Sequence, residues 1–186
     1  RREGIPYQII GGIKFYERKE IKDIIAYLRL IVNPSDGISF DRIVNFPSRG
    51  IGKTTLEKIH ELAKSGKCSY FSILSNLKNL KVGNKQKKAL GDFSAMITKF
   101  QMAYQKQDAV SITTDLLLDI DLKNYYENQD TMEAKERWAN VEELLNSITD
   151  FREYRENSGL SEFLEEVSLL TDIDRWNESD KAVTLM

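Results

Sequence analysis

Residues 47–60, PSRGIGKTTLEKIH, have the types and spacing for phosphate chemistry. Gly52-Lys53-Thr54 is the G-K-T that closes a nucleotide phosphate loop, where backbone N–H groups cradle phosphates and the lysine reaches the outer ones. Such a loop needs glycine five residues before the glycine of G-K-T. Pro47 stands there, with a fixed φ and no N–H to offer. The loop must also follow a buried strand, whereas the apolar residues at 40, 43, 44 and 46 fit an amphipathic helix. No apolar strand ending in aspartate is available to hold Mg²⁺. The chain itself is therefore expected to carry no nucleotide site, no cofactor and no catalytic residue.

Two short helices joined by a glycine hairpin account for the stretch better. Gly50-Ile51-Gly52 turns tightly because glycine takes positive φ without strain. Hairpin N–H groups and the first N–H groups of the next helix are then left pointing outward, at the positive end of the helix dipole. Thr54 or Thr55 is expected to cap that helix, and Arg49 and Lys53 flank the turn with full charges. The ligand that fits Arg49, Gly50, Ile51, Gly52, Lys53, Thr54 and Thr55 is a nucleic-acid backbone phosphate, gripped without reading bases. The alternative is a hairpin that serves only to connect two helices.

The elements around this stretch are legible in composition and period. The 186 residues suit one domain, and few Pro and Gly among many Leu, Ile, Glu and Lys lean towards helix. Residues 1–100 carry 19 Lys+Arg against 9 Asp+Glu, and residues 101–186 carry 8 against 20. That asymmetry hints at a polyanion-binding face with an acidic counterpart. Cys68 is the single cysteine, so neither a disulfide within the chain nor a cysteine-built metal site is expected, and reducing surroundings fit. His60, the single histidine, lies at the edge of a helical apolar face and reads as packing or surface rather than a base. Trp138 and Trp176 read as packing, and acids such as Glu142, Glu143, Glu165 and Glu166 as a solvated face. No run of 18 apolar residues is present, so no membrane association is expected.

Residues 5–10 and 182–186 read as short strands, and everything between them as helix. Two lone strands are not stable by themselves, so the expectation is an all-α insertion over 15–178. Its flanks, 1–14 and 179–186, would belong to a neighbouring sheet. The first Arg in place of Met suggests a fragment of something larger. In the helical part, Ile21, Ile24, Ile25, Leu28 and Val32 form one buried stripe on a helix over 20–32. Further helices are expected at 40–46, 54–64, 69–77, 84–105, 109–120, 131–157 and 160–170, with Ser161 at or just inside the start of the last.

The run from Ile5 to Ile59 resembles the segment that enters and begins the 2B subdomain of UvrD/PcrA/Rep-type superfamily 1A DNA helicases. The matching residues are Ile5-Pro6-Tyr7, Gly11-Gly12, Phe15, Arg18, Glu20-Ile21-Lys22-Asp23, Tyr27-Leu28-Arg29-Leu30 and Arg49-Gly50-Ile51-Gly52. A weaker likeness returns at Asn140-Val141-Glu142-Glu143-Leu144 and at Val183-Thr184-Leu185-Met186, while 66–130 match no motif. Two departures stand out: Gly37 where the family often has an acid, and Ser48-Arg49, which lengthen the hairpin.

The resemblance implies an accessory subdomain inserted into a motor domain, with ATP and Mg²⁺ handled elsewhere in the parent. It implies duplex DNA and single-strand/duplex junctions as partners, with the parent's motor domains and repair or replication proteins beside them. It also implies a bacterial, cytoplasmic, nucleoid-associated setting. The glycine hairpin would hold duplex ahead of the fork, and Lys22 and Arg29 would hold another stretch of its backbone. Those two are seven residues apart and so share one side of their helix, with Arg18 nearly in line. Two other readings remain at this point: a protein-docking helical module without DNA binding of its own, and a small NTPase.

Overall fold

The computed structural model describes residues 12–154 and 159–179, with side chains at 15–154 and 159–171. Among these residues every regular element is helical. They are α1 (Gly12–Glu17), α2 (Lys19–Val32), α3 (Gly37–Ile43), α4 (Lys53–Gly66), α5 (Tyr70–Ser75), α6 (Asn84–Ala103), α7 (Ala109–Asp119), α8 (Leu122–Glu127), α9 (Met132–Tyr154) and α10 (Leu160–Ser179). A 3-10 turn at Leu77–Asn79 links α5 to α6. The protein is all-α in these residues, as its composition predicts. The expected end strands and the Trp176 side chain lie outside the described residues.

α2 is the axis of the fold. Ile21, Ile24, Ile25 and Leu28 of its expected stripe are buried and Val32 is half-buried, but Ala26, Tyr27, Leu30 and Ile31 on its other sides are buried too. The reason is its neighbours: α1, α3, α6, α9 and α10 all pack against it. A helix surrounded in this way is apolar nearly all round, where a surface helix would show a stripe. Each fully buried Ile or Leu contributes about 1.5–3 kcal/mol relative to exposure.

Two acids are buried on the same helix and each has a partner. Asp23 meets Arg42 Nε at 2.7 Å. Glu20 accepts from Asn140 Nδ2 at 2.6 Å. Asn140 Oδ1 in turn accepts from Arg18 at 2.5 Å, and Arg18 also faces Glu143 at 3.5 Å. Arg18, Glu20, Asn140 and Glu143 thus tie the start of α2 to α9, joining two stretches of the chain 120 residues apart.

Several boundaries differ from the sequence reading for local reasons. The helix expected at 40–46 runs from Gly37 to Ile43. Asp36 starts it early, accepting from Ser39 N at 3.0 Å, and beyond Ile43 the chain turns, with the Phe46 N–H donating to the Ile43 carbonyl at 2.9 Å. At Gly37 an added Cβ would lie 2.7 Å from the Tyr70 ring, so the close approach of Tyr70 requires glycine there. The helix expected at 109–120 is followed by a second one, α8, because Asp121 takes a left-handed φ of 52° and redirects the chain. Neither Thr54 nor Thr55 caps α4. The cap is Gly52, and no side chain bonds there. Ser161 sits just inside α10.

Candidate nucleic-acid interface

The turn between α3 and α4 is built from inside. Asn45 Oδ1 accepts from the N–H of Arg49 at 2.9 Å and of Ile51 at 3.0 Å, folding residues 45–51 around one amide. Ile51 is then driven into the core, 1% exposed, and pins the turn to the helices beneath it. Gly50 takes φ +72°, a conformation L side chains rarely adopt, which lets the chain double back. Phe46 anchors the other side, edge-on to Tyr125 of α8 at 5.4 Å.

Arg49 faces inward. Its guanidinium donates to the carbonyls of Phe46 at 2.7 Å, Ile43 at 3.2 Å and Pro47 at 3.3 Å, and to Tyr27 Oη at 2.7 Å. It also lies over the Phe93 ring of α6, 5.2 Å from the centroid. Tyr27 donates its hydroxyl to the same Phe46 carbonyl. Burial pushes the Tyr27 phenol up to about 12, while Arg49 beside it pulls the other way. The phenol therefore keeps its proton at neutral pH and remains a donor.

The outer side of the turn carries unused donors. The N–H groups of Arg49 and Ile51 are satisfied inward, but no described residue accepts from those of Gly50 and Gly52. α4 starts at Gly52 without a side-chain cap, so the N–H groups of Lys53 and Thr54 also open to the surface. A Cβ added at Gly50 or Gly52 would meet nothing within 4 Å, so the outside of the turn is open space. The Lys53 side chain is 91% exposed and only 4.0 Å from Glu57, a loose pair. Thr54 is exposed, whereas Thr55 is 8% exposed and belongs to the packing. The arrangement offers N–H donors, a helix N-terminus and one free-reaching ammonium to an anion.

Lys22 and Arg29 come together elsewhere. Both line a groove of about 280 Å³ between α1, α2, α3 and α10, with Arg42 of α3 beside them. Lys22 is paired with Glu17 of α1. Arg29 donates to Ser168 Oγ of α10 at 3.3 Å. Arg42 is held by Asp23 and by the Lys19 carbonyl at 3.1 Å. No residue of the hairpin lines this groove, so the sequence-predicted residues fall on two surfaces. Arg18 joins neither, being engaged with α9 and stacked over Phe15 at 5.3 Å.

Asn45 and Arg42 are not singled out by the sequence reasoning, and Tyr27 enters it only among the residues that carry the family likeness. Asn45 had one signal, a polar residue two before Pro47 at the end of an apolar run. For Arg42 nothing in the sequence pairs it with Asp23, 19 positions away. His60 meets Asp41 at 2.8 Å and stacks on Tyr70, an edge-packing role. Trp138 packs against the core and donates to Glu142 at 2.8 Å.

Comparison with known proteins sets this geometry in a family. The model of the UvrD-like helicase C-terminal domain matches residues 1–186. This chain belongs to that family. It is 37% identical over 191 residues to the ATP-dependent DNA helicase PcrA of Bacillus subtilis. It is 32% identical over 187 residues to that of Staphylococcus aureus (strain Mu50) and 33% identical over 187 residues to that of Staphylococcus epidermidis. All of this chain is covered in each case, but only 26% of the relative, so it spans about a quarter of the length of the curated relatives it matches. It is thus similar to part of a DNA helicase. Two stretches that carry the family likeness, around Arg18–Asp23 and Asn140–Leu144, are the ones joined by the Arg18–Asn140–Glu20 hydrogen bonds. No described helix is long and apolar enough to cross a membrane.

Proposed function

We propose that this chain is the accessory 2B subdomain of an ATP-dependent 3'-5' DNA helicase and that it grips duplex DNA by its backbone, without reading sequence. The observation that carries this is the α3–α4 turn: inward donors satisfied by Asn45, outward donors unsatisfied, and Lys53 extended beside an uncapped helix start. That combination suits a phosphate oxygen and has no core-building purpose. In this reading Gly50, Gly52, Lys53 and Thr54 hold phosphate, while Arg49, Ile51 and Thr55 hold the turn in shape. The turn then acts as a helix-hairpin-helix element.

Lys22 and Arg29 form a second contact, exchanging Glu17 and Ser168 for phosphate oxygens when DNA arrives. ATP and Mg²⁺ act in the parent's motor domains, and the segments at 1–14 and 179–186 join this helical unit to them. By holding the duplex, the unit orients it for unwinding and restrains or releases the motor in DNA repair or replication. The reading is tested by titrating a ¹⁵N-labelled chain with duplex DNA. The amides of Gly50, Gly52, Lys53 and Thr54 are expected to shift most, and those of Arg49 and Ile51 less. Shifts confined to other helices would overturn the hairpin assignment. Removing residues 15–178 from the parent helicase without any change in DNA-stimulated unwinding would overturn the regulatory part.

A further inference from the structure

A groove of about 700 Å³ lies between the end of α2, the turn into α3 and α10. Val32, Leu164 and Leu169 give it an apolar lining, and Leu169 is 64% exposed. Asp36 and Glu165 give it charge, with Arg29 the one basic residue in the lining. Residues 30–41 and 159–171 supply all of that lining except Arg29. They hold five acids (Asp36, Asp41, Glu162, Glu165 and Glu166) and no lysine or arginine. The adjoining groove shares Arg29 but has the opposite sign, with Lys22 and Arg42 beside it.

Most of these acids have a local role. Asp36 caps α3, accepting from Ser39 N at 3.0 Å and from Ser39 Oγ at 2.6 Å. Asp41 meets His60. Glu162 folds back against Gly159 at the start of α10, where the helix dipole favours a carboxylate. Glu165 has no such role. It is exposed and lies beyond the first turn of α10. No described Lys, Arg or His approaches it within 4.0 Å. Arg29 is held instead to Ser168 Oγ at 3.3 Å. Glu162 and Glu165, three residues apart on one helix, repel each other, and a cation seated beside them relieves that.

We propose that this groove docks a basic amphipathic helix of a partner protein, with the helix's apolar ridge on Val32, Leu164 and Leu169 and its Lys or Arg side chains on Glu162 and Glu165. The form of the partner follows from the fold. Every regular element among the described residues is helical, so they offer no strand edge for an extended peptide to join. Glu162, Glu165 and Leu169 stand at i, i+3 and i+7 on α10, one face along which a second helix can lie. Residues 160–171 span about 18 Å, so a partner helix of about three turns covers them, anchored at i, i+3 or i+4 and i+7. The charge sets the partner's sign. An exposed carboxylate without a counter-charge attracts Lys or Arg and repels phosphate, so this groove does not suit nucleic acid. The inference goes beyond the grip on DNA and does not depend on it.

The probe is a fluorescent, acetylated and amidated peptide of about 14 residues, with leucine along one helical face and lysine along the other. Two control peptides carry the same composition in scrambled order and the same design with glutamate for lysine. Anisotropy titrations compare the wild-type chain with Glu165→Lys, Leu169→Gln and Glu136→Lys, with circular dichroism confirming each fold. Glu136 is an exposed acid of α9 outside the groove. The lysine peptide is expected to bind the wild type, and Glu165→Lys and Leu169→Gln are each expected to weaken it at least about fivefold. Glu136→Lys should change it less than about twofold, and both control peptides should bind at least about fivefold more weakly. In a ¹⁵N-labelled chain the lysine peptide should shift the amides of residues 161–169. No binding, or equal weakening by Glu136→Lys, would overturn the proposal. So would shifts confined to other helices, or a self-association that Leu169→Gln abolishes, which would make a second copy the occupant. Shifts of the same amides on adding duplex DNA would overturn the choice of partner.

Discussion

Replacing Arg49 separates a strut from a phosphate ligand. Arg49→Ala removes two short charge-assisted hydrogen bonds, to the Phe46 carbonyl and to Tyr27 Oη, both at 2.7 Å. It also removes the contact over Phe93. Hydrogen bonds to a charged group contribute about 1.5–3 kcal/mol each, and a cation–π contact about 0.5–1 kcal/mol. The site is half exposed, so water replaces part of this, and Tyr27 keeps its own bond to the Phe46 carbonyl. The net cost is about 2–3 kcal/mol, which lowers the melting temperature of a domain this size by about 5–10 °C. Arg49→Lys keeps the charge but not the fork, and is expected to recover less than half of the loss.

The assay is urea denaturation and thermal melting of wild type, Arg49→Ala and Arg49→Lys, with duplex binding followed in parallel. The strut account requires the Lys variant to bind DNA with the wild-type salt slope despite its lower stability. Stability changes below about 0.5 kcal/mol in Arg49→Ala, together with a slope reduced by roughly 0.9, would refute the reasoning and make Arg49 a direct phosphate contact.

Three further outcomes follow from other parts of the fold. Gly37→Ala sets a methyl 2.7 Å from the Tyr70 ring, pushing Tyr70 off Phe40 and His60. It should cost about 1–3 kcal/mol by denaturation, and no cost would mean the ring moves freely. Burial holds the Asp23 carboxyl above its ordinary value of 3.8, with Arg42 opposing, so the folded chain takes up that proton more readily than the unfolded chain. The stability this lends is fully present below 3.8 and lost as pH rises through the raised folded value. Denaturation of wild type and Asp23→Asn should therefore show the wild type's relative stability improving on acidification; improvement towards neutral pH contradicts it. Asp108 behaves oppositely. The Ser111 N–H holds its carboxyl below 3.8, so its contribution is present above 3.8 and lost as pH falls through the lowered value. Asp108→Ala should cost about 1 kcal/mol of helix capping at neutral pH and little in strong acid.

How far the sequence reveals this molecule depends on the range of the interaction. Periodicity exposes α2 and α4, and Pro47 turns a phosphate-loop spelling into a helical turn, because those signals lie within a few residues. The run of apolar residues on α2 marks its buried stripe but not the burial of Ala26, Tyr27, Leu30 and Ile31 beyond it, which is set by five helices arriving from elsewhere. α8 escapes the pattern because only Ile120 and Asp121 separate it from α7, with Asp121 at φ 52° redirecting the chain. At the interface, Gly50, Gly52 and Lys53 are legible as a turn beside a helix start. The inward aim of Arg49 is not, since its acceptors are carbonyls and a tyrosine hydroxyl 22 positions away. Lys22 and Arg29 share a helical face in sequence, but their common groove depends on α10, 139 residues from Arg29.

The most direct test of the account is fluorescence anisotropy of a labelled duplex with a single-stranded tail, titrated with this chain at about 50 and 200 mM salt. Wild type would be compared with a variant carrying Lys22→Glu and Arg29→Glu. Backbone gripping predicts salt-dependent binding, weakened in the variant, with the slope of log K against log salt lower by roughly 1.8 for the two contacts. No binding of the wild type at low salt, or identical slopes for the two proteins, would contradict it.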